Sequence, residues 1–250
     1  INLKAPYIFL ERRADTSFNL QDLLSNRPAA NKTDFSVAVF KLTILGGNMV
    51  FQDDTLGVKF RKEIRNIRLN LQLGLPVKLK FNFSAELVSQ PPVLFYASGE
   101  YKILGQEMAV DFNCKGLPVK EFEAYYGNLS GLVSGPLDLS AQAGLKNKIL
   151  RVELALAGKN LLVAKDNLKA ELNSRLQSKV NYNLETRKLE FNGTCDIKQA
   201  RITGLEFLGQ VENLNGRILF NQDSLVADSL KAQLLGVPFE IRMGLKDYST

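Results

Sequence analysis

The chain has 250 residues, 45% apolar and 23% charged, a composition that excludes intrinsic disorder and a helical membrane bundle and is long enough to bury a core. Lys and Arg number 32 against 26 Asp and Glu, and the resulting charge of +6 is spread among both signs, which favours a soluble folded protein and no nucleic-acid partner. Histidine is absent, which removes Ser-His and Cys-His nucleophile pairs and every His-containing zinc pattern.

The chain opens at Ile1 without a charged n-region or an apolar h-region, so it is expected to be a mature chain or an excised piece. Phe18 to Ser25 reads as a short helix, with Leu20, Leu23 and Leu24 on one face and Pro28 soon after. Strands are expected over Phe35 to Leu45, Met49 to Gln52 and Val58 to Phe60. The strongest signal follows. Ile67, Leu69, Leu71 and Leu73 alternate with polar residues; after Gly74 to Pro76, so do Val77, Leu79, Phe81, Phe83, Ala85 and Leu87. Period 2 sustained in this way makes strands with one apolar face, and the Gly-Pro turn makes an antiparallel pair.

Further strands are expected at Val93 to Ala97, Met108 to Phe112, Leu137 to Gln142 and Arg151 to Ala157. Leu117 to Gly127 reads as the second short helix, with Pro118 near its first turn and a Gly at its end. Asn160 to Leu176 fits both a helical face and a strand, and is read as strand and then irregular chain. Val180 to Leu184 and Leu189 to Cys195 form a pair across the polar turn Glu185 to Lys188; Arg217 to Phe220 and Val237 to Met243 follow. No composition shift marks a linker, so residues 1–250 read as one continuous β-rich segment, with related strand units near 40–90 and 202–250.

Those units share a phrase. "LGGNMVFQDDTL" (Leu45 to Leu56) aligns without a gap on "LNGRILFNQDSL" (Leu214 to Leu225), with identity at Leu45/Leu214, Gly47/Gly216, Phe51/Phe220, Asp54/Asp223 and Leu56/Leu225.

Catalytic and cofactor motifs are missing: no P-loop, no dinucleotide glycine fingerprint, no H-E-x-x-H, no C-x-x-C and no calcium loop. The expectation is therefore a non-enzyme with no catalytic residue, metal or cofactor. Asp53 and Asp54 have the chemistry of an acid-base pair, but they fall in a turn, where Asp bonds to nearby backbone. The basic stretch from Lys59 to Lys80 lacks interleaved aromatic platforms; it reads as a solvated sheet face or protected edge in preference to a surface for anionic head groups or an acidic partner. Cys114 and Cys195 permit one disulfide or two thiols. With so little helix, the apolar sheet face must be covered by a second sheet, by closure into a barrel, or by a lipid. An outer-membrane barrel is disfavoured, since aromatics are 9% and there is no Trp for interfacial girdles.

Two regions resemble the AsmA-like family of Gram-negative envelope proteins. Phe40 to Leu87 is similar to its N-terminal pattern of a strand, a Gly turn, "h-x-F-x-D" and then "I-x-N-I-x-L-x-L"; Ile202 to Ser249 is similar to its later repeats, with "L-x-G-x-h-x-F" followed by "L-x-A-x-L-h-G-x-P". "SGPLDLSAQ" (Ser134 to Gln142) fits between them. The resemblance implies a mainly β fold: a long curved, mostly antiparallel sheet, groove-like or an open barrel, with one or two short helices. It implies bridge-like transfer of phospholipid or another acyl-chain lipid to the outer membrane through an apolar groove. The place would be the periplasm, with an inner-membrane anchor outside this chain and membrane surfaces or envelope proteins as partners. Ile67, Leu69, Leu71, Val77, Leu79, Phe81 and Phe83 are the expected groove lining. The alternative is a non-catalytic β-sandwich, a structural or interaction module.

Overall fold

The computed structural model describes residues 1–19, 40–58, 60–74, 77–130, 132–206 and 209–247. The fold class is mainly β: fifteen strands in open, mostly antiparallel sheet, divided between two compact units, residues 1–104 and 105–250.

In the first unit β1 (Asn2–Lys4) and β2 (Tyr7–Arg12) both run parallel to β3 (Lys41–Asp53), one beside each half of it. On its other side β3 pairs antiparallel with β4 (Phe60–Gly74), followed by β5 (Lys78–Leu87) and β6 (Val93–Lys102). The β4–β5 pair is the one expected from the alternation between Ile67 and Leu87. The two strands expected at 35–45 and 49–52 are a single strand in their described part, because Gly46 (φ 69°) and Gly47 form a bulge that bends the chain without ending its pairing. Residues 35–39 and the helix expected from Phe18 to Ser25, beyond Asn19, lie outside the described residues.

In the second unit β7 (Glu107–Pro118), β9 (Pro136–Lys146), β10 (Ile149–Lys165), β11 (Leu168–Asn183), β12 (Leu189–Leu205), β13 (Gly209–Asn221), β14 (Ser224–Leu234) and β15 (Val237–Lys246) are successive antiparallel neighbours. The short β8 (Leu132–Ser134) pairs with the end of β10. Tight turns set the order. Asn147 and Lys148 (φ 50° and 60°) join β9 to β10, and Leu235 and Gly236 (φ 51° and 80°) join β14 to β15, the paired left-handed conformations of a two-residue hairpin. Between β11 and β12 the Asn183 side chain accepts the N–H groups of Glu185 and Thr186, at 2.9 and 3.1 Å.

The helix expected from Leu117 to Gly127 starts later. Leu117 and Pro118 end β7, Val119–Phe122 is a 3-10 turn, and α1 is Glu123–Ser130, passing through Gly127. The Tyr126 hydroxyl lies 3.1 Å from the Val119 carbonyl and 2.9 Å from that of Val133, joining the chain entering the helix to the chain leaving it. The stretch from Asn160 to Leu176 is a hairpin; its second half is regular strand, not irregular chain.

Extra residues interrupt β10, β12, β13 and β14 at neighbouring places, between Gly158 and Leu161, Ile197 and Ala200, Glu212 and Asn215, and Ala227 and Leu230. Asn160, Gln199 and Asn213 adopt left-handed φ of 50–52° there. A bulge removes an N–H from the ladder, and a side chain on the next strand accepts it: Asn160 N–H bonds to Asn173 Oδ1 and Gln199 N–H to Asn215 Oδ1, both at 2.9 Å. The fully buried cluster of this unit, with Ala200, Val211, Leu214, Ala227, Leu230 and Ala232, sits along this line of bulges.

Candidate functional site

Cross-strand register carries one apolar face through each unit. In the first unit Leu42, Leu71, Phe81 and Gly99 stand in one row, and Ile44, Leu69, Phe83 and Ala97 in the next. Directly opposed residues of an antiparallel pair point to the same side, so the rows share a face. Of the residues expected to line a groove, Ile67 is the deepest, 4% exposed and clustered with Ile44 and Ala85; Leu69 and Phe83 pack against that cluster. Leu71, Leu79 and Phe81 continue the face half-buried, and Val77, also half-buried, precedes β5. Ile67 is thus a core residue, while the others stay partly open.

The larger surface is in the second unit, where the sequence reading named strands but no lining residues. Cys114, Leu139, Leu156, Leu176, Cys195 and Ile218 form one unbroken row across β7, β9, β10, β11, β12 and β13. Beyond the bulges Val163, Ala170, Ile202, Val211, Leu234 and Val237 form another, reaching β15. The signal that could have found them was present in the sequence: each strand alternates, and the short turns between strands fix the register that aligns them.

Burial along the first row is the informative quantity. Leu139, Leu156, Leu176 and Ile218 have apolar neighbours on flanking strands and are nevertheless only half-buried. A layer packed over them, as in a sandwich, would bring central positions of this kind to full burial. The two buried clusters among the described residues are each built from adjacent strands, β3 to β5 in one unit and mainly β12 to β14 in the other, so both record packing along a sheet.

The ion pairs at the strand centres lie on the other face, whereas Lys62, opposite Phe51, and Lys165, opposite Leu168, stand on the apolar side towards strand ends. Lys179 pairs with Glu153 at 2.9 Å, Lys78 with Glu100 at 2.5 Å and Arg217 with Asp196 at 2.6 Å. The hydrogen bond from Arg217 holds the Asp196 carboxyl below the usual carboxylate range, and that from Lys78 does the same for Glu100. One hydroxyl on the apolar face is satisfied locally: Ser178 Oγ donates to the Asn192 carbonyl at 3.1 Å. A recess of about 620 Å³ lies at the bulges, lined by Asn160, Glu171, Asn173, Gln199 and Arg201 among others.

Asp53 and Asp54 have the scaffold role expected of a turn. Asp53 is 0% exposed; its Oδ1 accepts the Thr55 N–H at 2.9 Å and hydroxyl at 2.6 Å, and Arg12 lies 3.5 Å from Oδ2. Asp54 accepts only the Gln52 amide, at 3.0 Å, on the surface. In the second copy of the phrase Asn221 takes over, its Oδ1 accepting the N–H groups of Asp223 and Ser224 at 2.8 Å. The shared phrase is in each case the end of a bulged strand closed by a side-chain-capped turn.

Both cysteines are free thiols. They lie four ladder steps apart, roughly 19 Å at ~4.8 Å per step, too far for a disulfide. Burial, with Asp138 nearby, pushes the Cys114 thiol up to about 11, and burial also raises Cys195. Among the described residues no group of His, Cys, Asp and Glu is arranged to hold a metal, and no helix is long and apolar enough to cross a membrane. The rows of the face present mainly apolar side chains, and burial of apolar surface is the interaction those side chains supply. Comparison with protein families, with characterised proteins and with solved structures finds no match to this chain.

Proposed function

We propose that this chain is a lipid-binding and lipid-conducting segment of an AsmA-like envelope protein, holding phospholipid acyl chains along its apolar face in the periplasm and serving lipid supply to the outer membrane. The observation that supports this reading is the row Leu139–Leu156–Leu176–Ile218: apolar, central in its sheet and only half-buried among the described residues. Each methylene an acyl chain buries against such a face contributes about 0.8 kcal/mol. Equivalent rows repeated from strand to strand offer many similar sites instead of one deep trap, which suits movement along the sheet. Charged residues on the opposite face keep that side in water.

The test is recovery of lipid from the purified chain. Solvent extraction or native mass spectrometry should yield phospholipid, and Leu156→Asp with Leu176→Asp should remove it while far-UV circular dichroism keeps its β signature. Repeated failure to recover or load any of several lipid classes contradicts the proposal and favours a structural module.

A further inference from the structure

The line of bulges in β10 to β13 leaves a hollow of about 620 Å³, a size typical of small-molecule sites. Two neighbouring rows of side chains supply most of its wall. Leu162, Glu171, Arg201 and Glu212 form the first. Each is one residue along from the apolar row Val163, Ala170, Ile202 and Val211, and so stands on the opposite side of the sheet. Leu162 is paired with Glu171 and Glu171 with Arg201, and Glu212 on the next strand lies 3.9 Å from Arg201. The second row, at or beside the bulges, is Asn160, Asn173, Gln199 and Asn213.

Some of these polar groups are already held. Asn173 Oδ1 accepts the Asn160 N–H at 2.9 Å, Arg201 donates to Gln210 Oε1 at 2.9 Å, and Asn213 Nδ2 donates to Gln233 Oε1 at 3.1 Å. The Glu171 carboxylate, Asn173 Nδ2 and the side-chain amides of Asn160 and Gln199 have no protein partner among the described residues. They stand on paired strands, and Asn173 is fixed by the bulge it caps, so part of the ordering cost of binding is already met.

We propose that this hollow binds a neutral sugar, a mono- or disaccharide. Two carboxylates against one guanidinium disfavour a phosphate or another anion, and Arg201 standing between Glu171 and Glu212 opposes a metal ion or an ammonium group. A flat apolar ligand finds only Leu162 and Leu172 to cover, with no aromatic ring among the lining residues. A sugar hydroxyl donates and accepts at once, and the hollow offers both partners side by side. Adjacent hydroxyls can donate to Glu171 and accept from the amides of Asn173 and Gln199, while the C–H face of the ring lies on Leu162. This inference goes beyond the lipid reading and does not depend on it, because the hollow and the apolar rows are on opposite faces.

NMR titration of the full chain with glucose, N-acetylglucosamine and maltose tests it, read at the side-chain amide resonances of Asn160, Asn173 and Gln199. Open walls and competition from water make binding weak, so saturation is expected in the millimolar range. At least one sugar should move those signals to a plateau, while those of Asn70 and Asn82, paired on β4 and β5 of the first unit, stay fixed. Glu171→Gln removes a charged acceptor and should raise the Kd by about tenfold, and Gln199→Ala should raise it also. Both positions are exposed, so circular dichroism should be unchanged. No saturable shift with any of the three sugars, a Kd that neither variant changes, or tighter binding of glucuronate or ethanolamine than of every neutral sugar overturns the proposal.

Discussion

Phe220 on β13 stands directly opposite Gly193 on β12, and its ring occupies the space that a side chain at 193 would need. The Phe220 ring and the Gln177 carbonyl oxygen, 2.4 and 2.5 Å from where a Cβ would stand, leave Gly193 no room for a methyl group. Gly193→Ala should therefore destabilise the fold by about 1–3 kcal/mol through overpacking. Urea denaturation checks this, and Phe220→Ala in the same chain should recover part of the loss, giving a non-additive cycle.

The acid pair separates in the same kind of assay. Asp53→Ala strands the Thr55 N–H and hydroxyl and leaves Arg12 without its carboxylate, at an expected cost of about 2–4 kcal/mol. Asp54→Ala, on the surface, should stay within about 0.5 kcal/mol. Equal and small effects would contradict the scaffold role assigned to Asp53.

Tyr126→Phe removes the hydroxyl that joins the two ends of the α1 segment, at about 1 kcal/mol. The loss should be local: faster hydrogen exchange at Val133 and Ser134, with β11 and β12 unchanged.

The raised pKa of Cys114 has a defined pH consequence. Below about 9 the thiol is protonated in folded and unfolded chains alike, and its burial costs no charge. Between about 9 and about 11 the unfolded chain ionises while the folded one does not, so stability falls with rising pH across that window and levels off above it. Denaturation midpoints at pH 8 and pH 10.5, compared with those of Cys114→Ala, check the sign. Alkylation at pH 8 should reach Cys195 before Cys114, which is 0% exposed.

Much of the fold can be read from the sequence, and the places where it cannot share a cause. The alternation from Ile67 to Leu87 and the turn from Glu185 to Lys188 identify their strand pairs because no bulge intervenes between Ile67 and Leu73 or between Leu189 and Ile197. At Asn160, Gln199 and Asn213 one extra residue reverses the phase of the alternation, so a period-2 reading stops short: β10, read as Arg151 to Ala157, runs from Ile149 to Lys165. β14 is missed for the same reason, its apolar residues Ala227 and Leu230 lying three apart. β1 and β2 are short, and their parallel partner β3 is distant in the chain, so no local signal announces them. For the candidate face, Leu69 to Phe83 is legible as one-sided strand; which of those residues form core, as Ile67 does, depends on neighbours that the register supplies. The row from Cys114 to Ile218 becomes visible only when six strands are aligned.

The central claim, that acyl chains lie on the apolar face, is tested most directly by a photoreactive amino acid placed at Leu156, at Phe81 and, on the opposite face of β10, at Glu153. Irradiation in cells followed by mass spectrometry of the adducts should give phospholipid adducts at 156 and 81 and none at 153. Absence of lipid at 156 and 81, or equal labelling at 153, would contradict it.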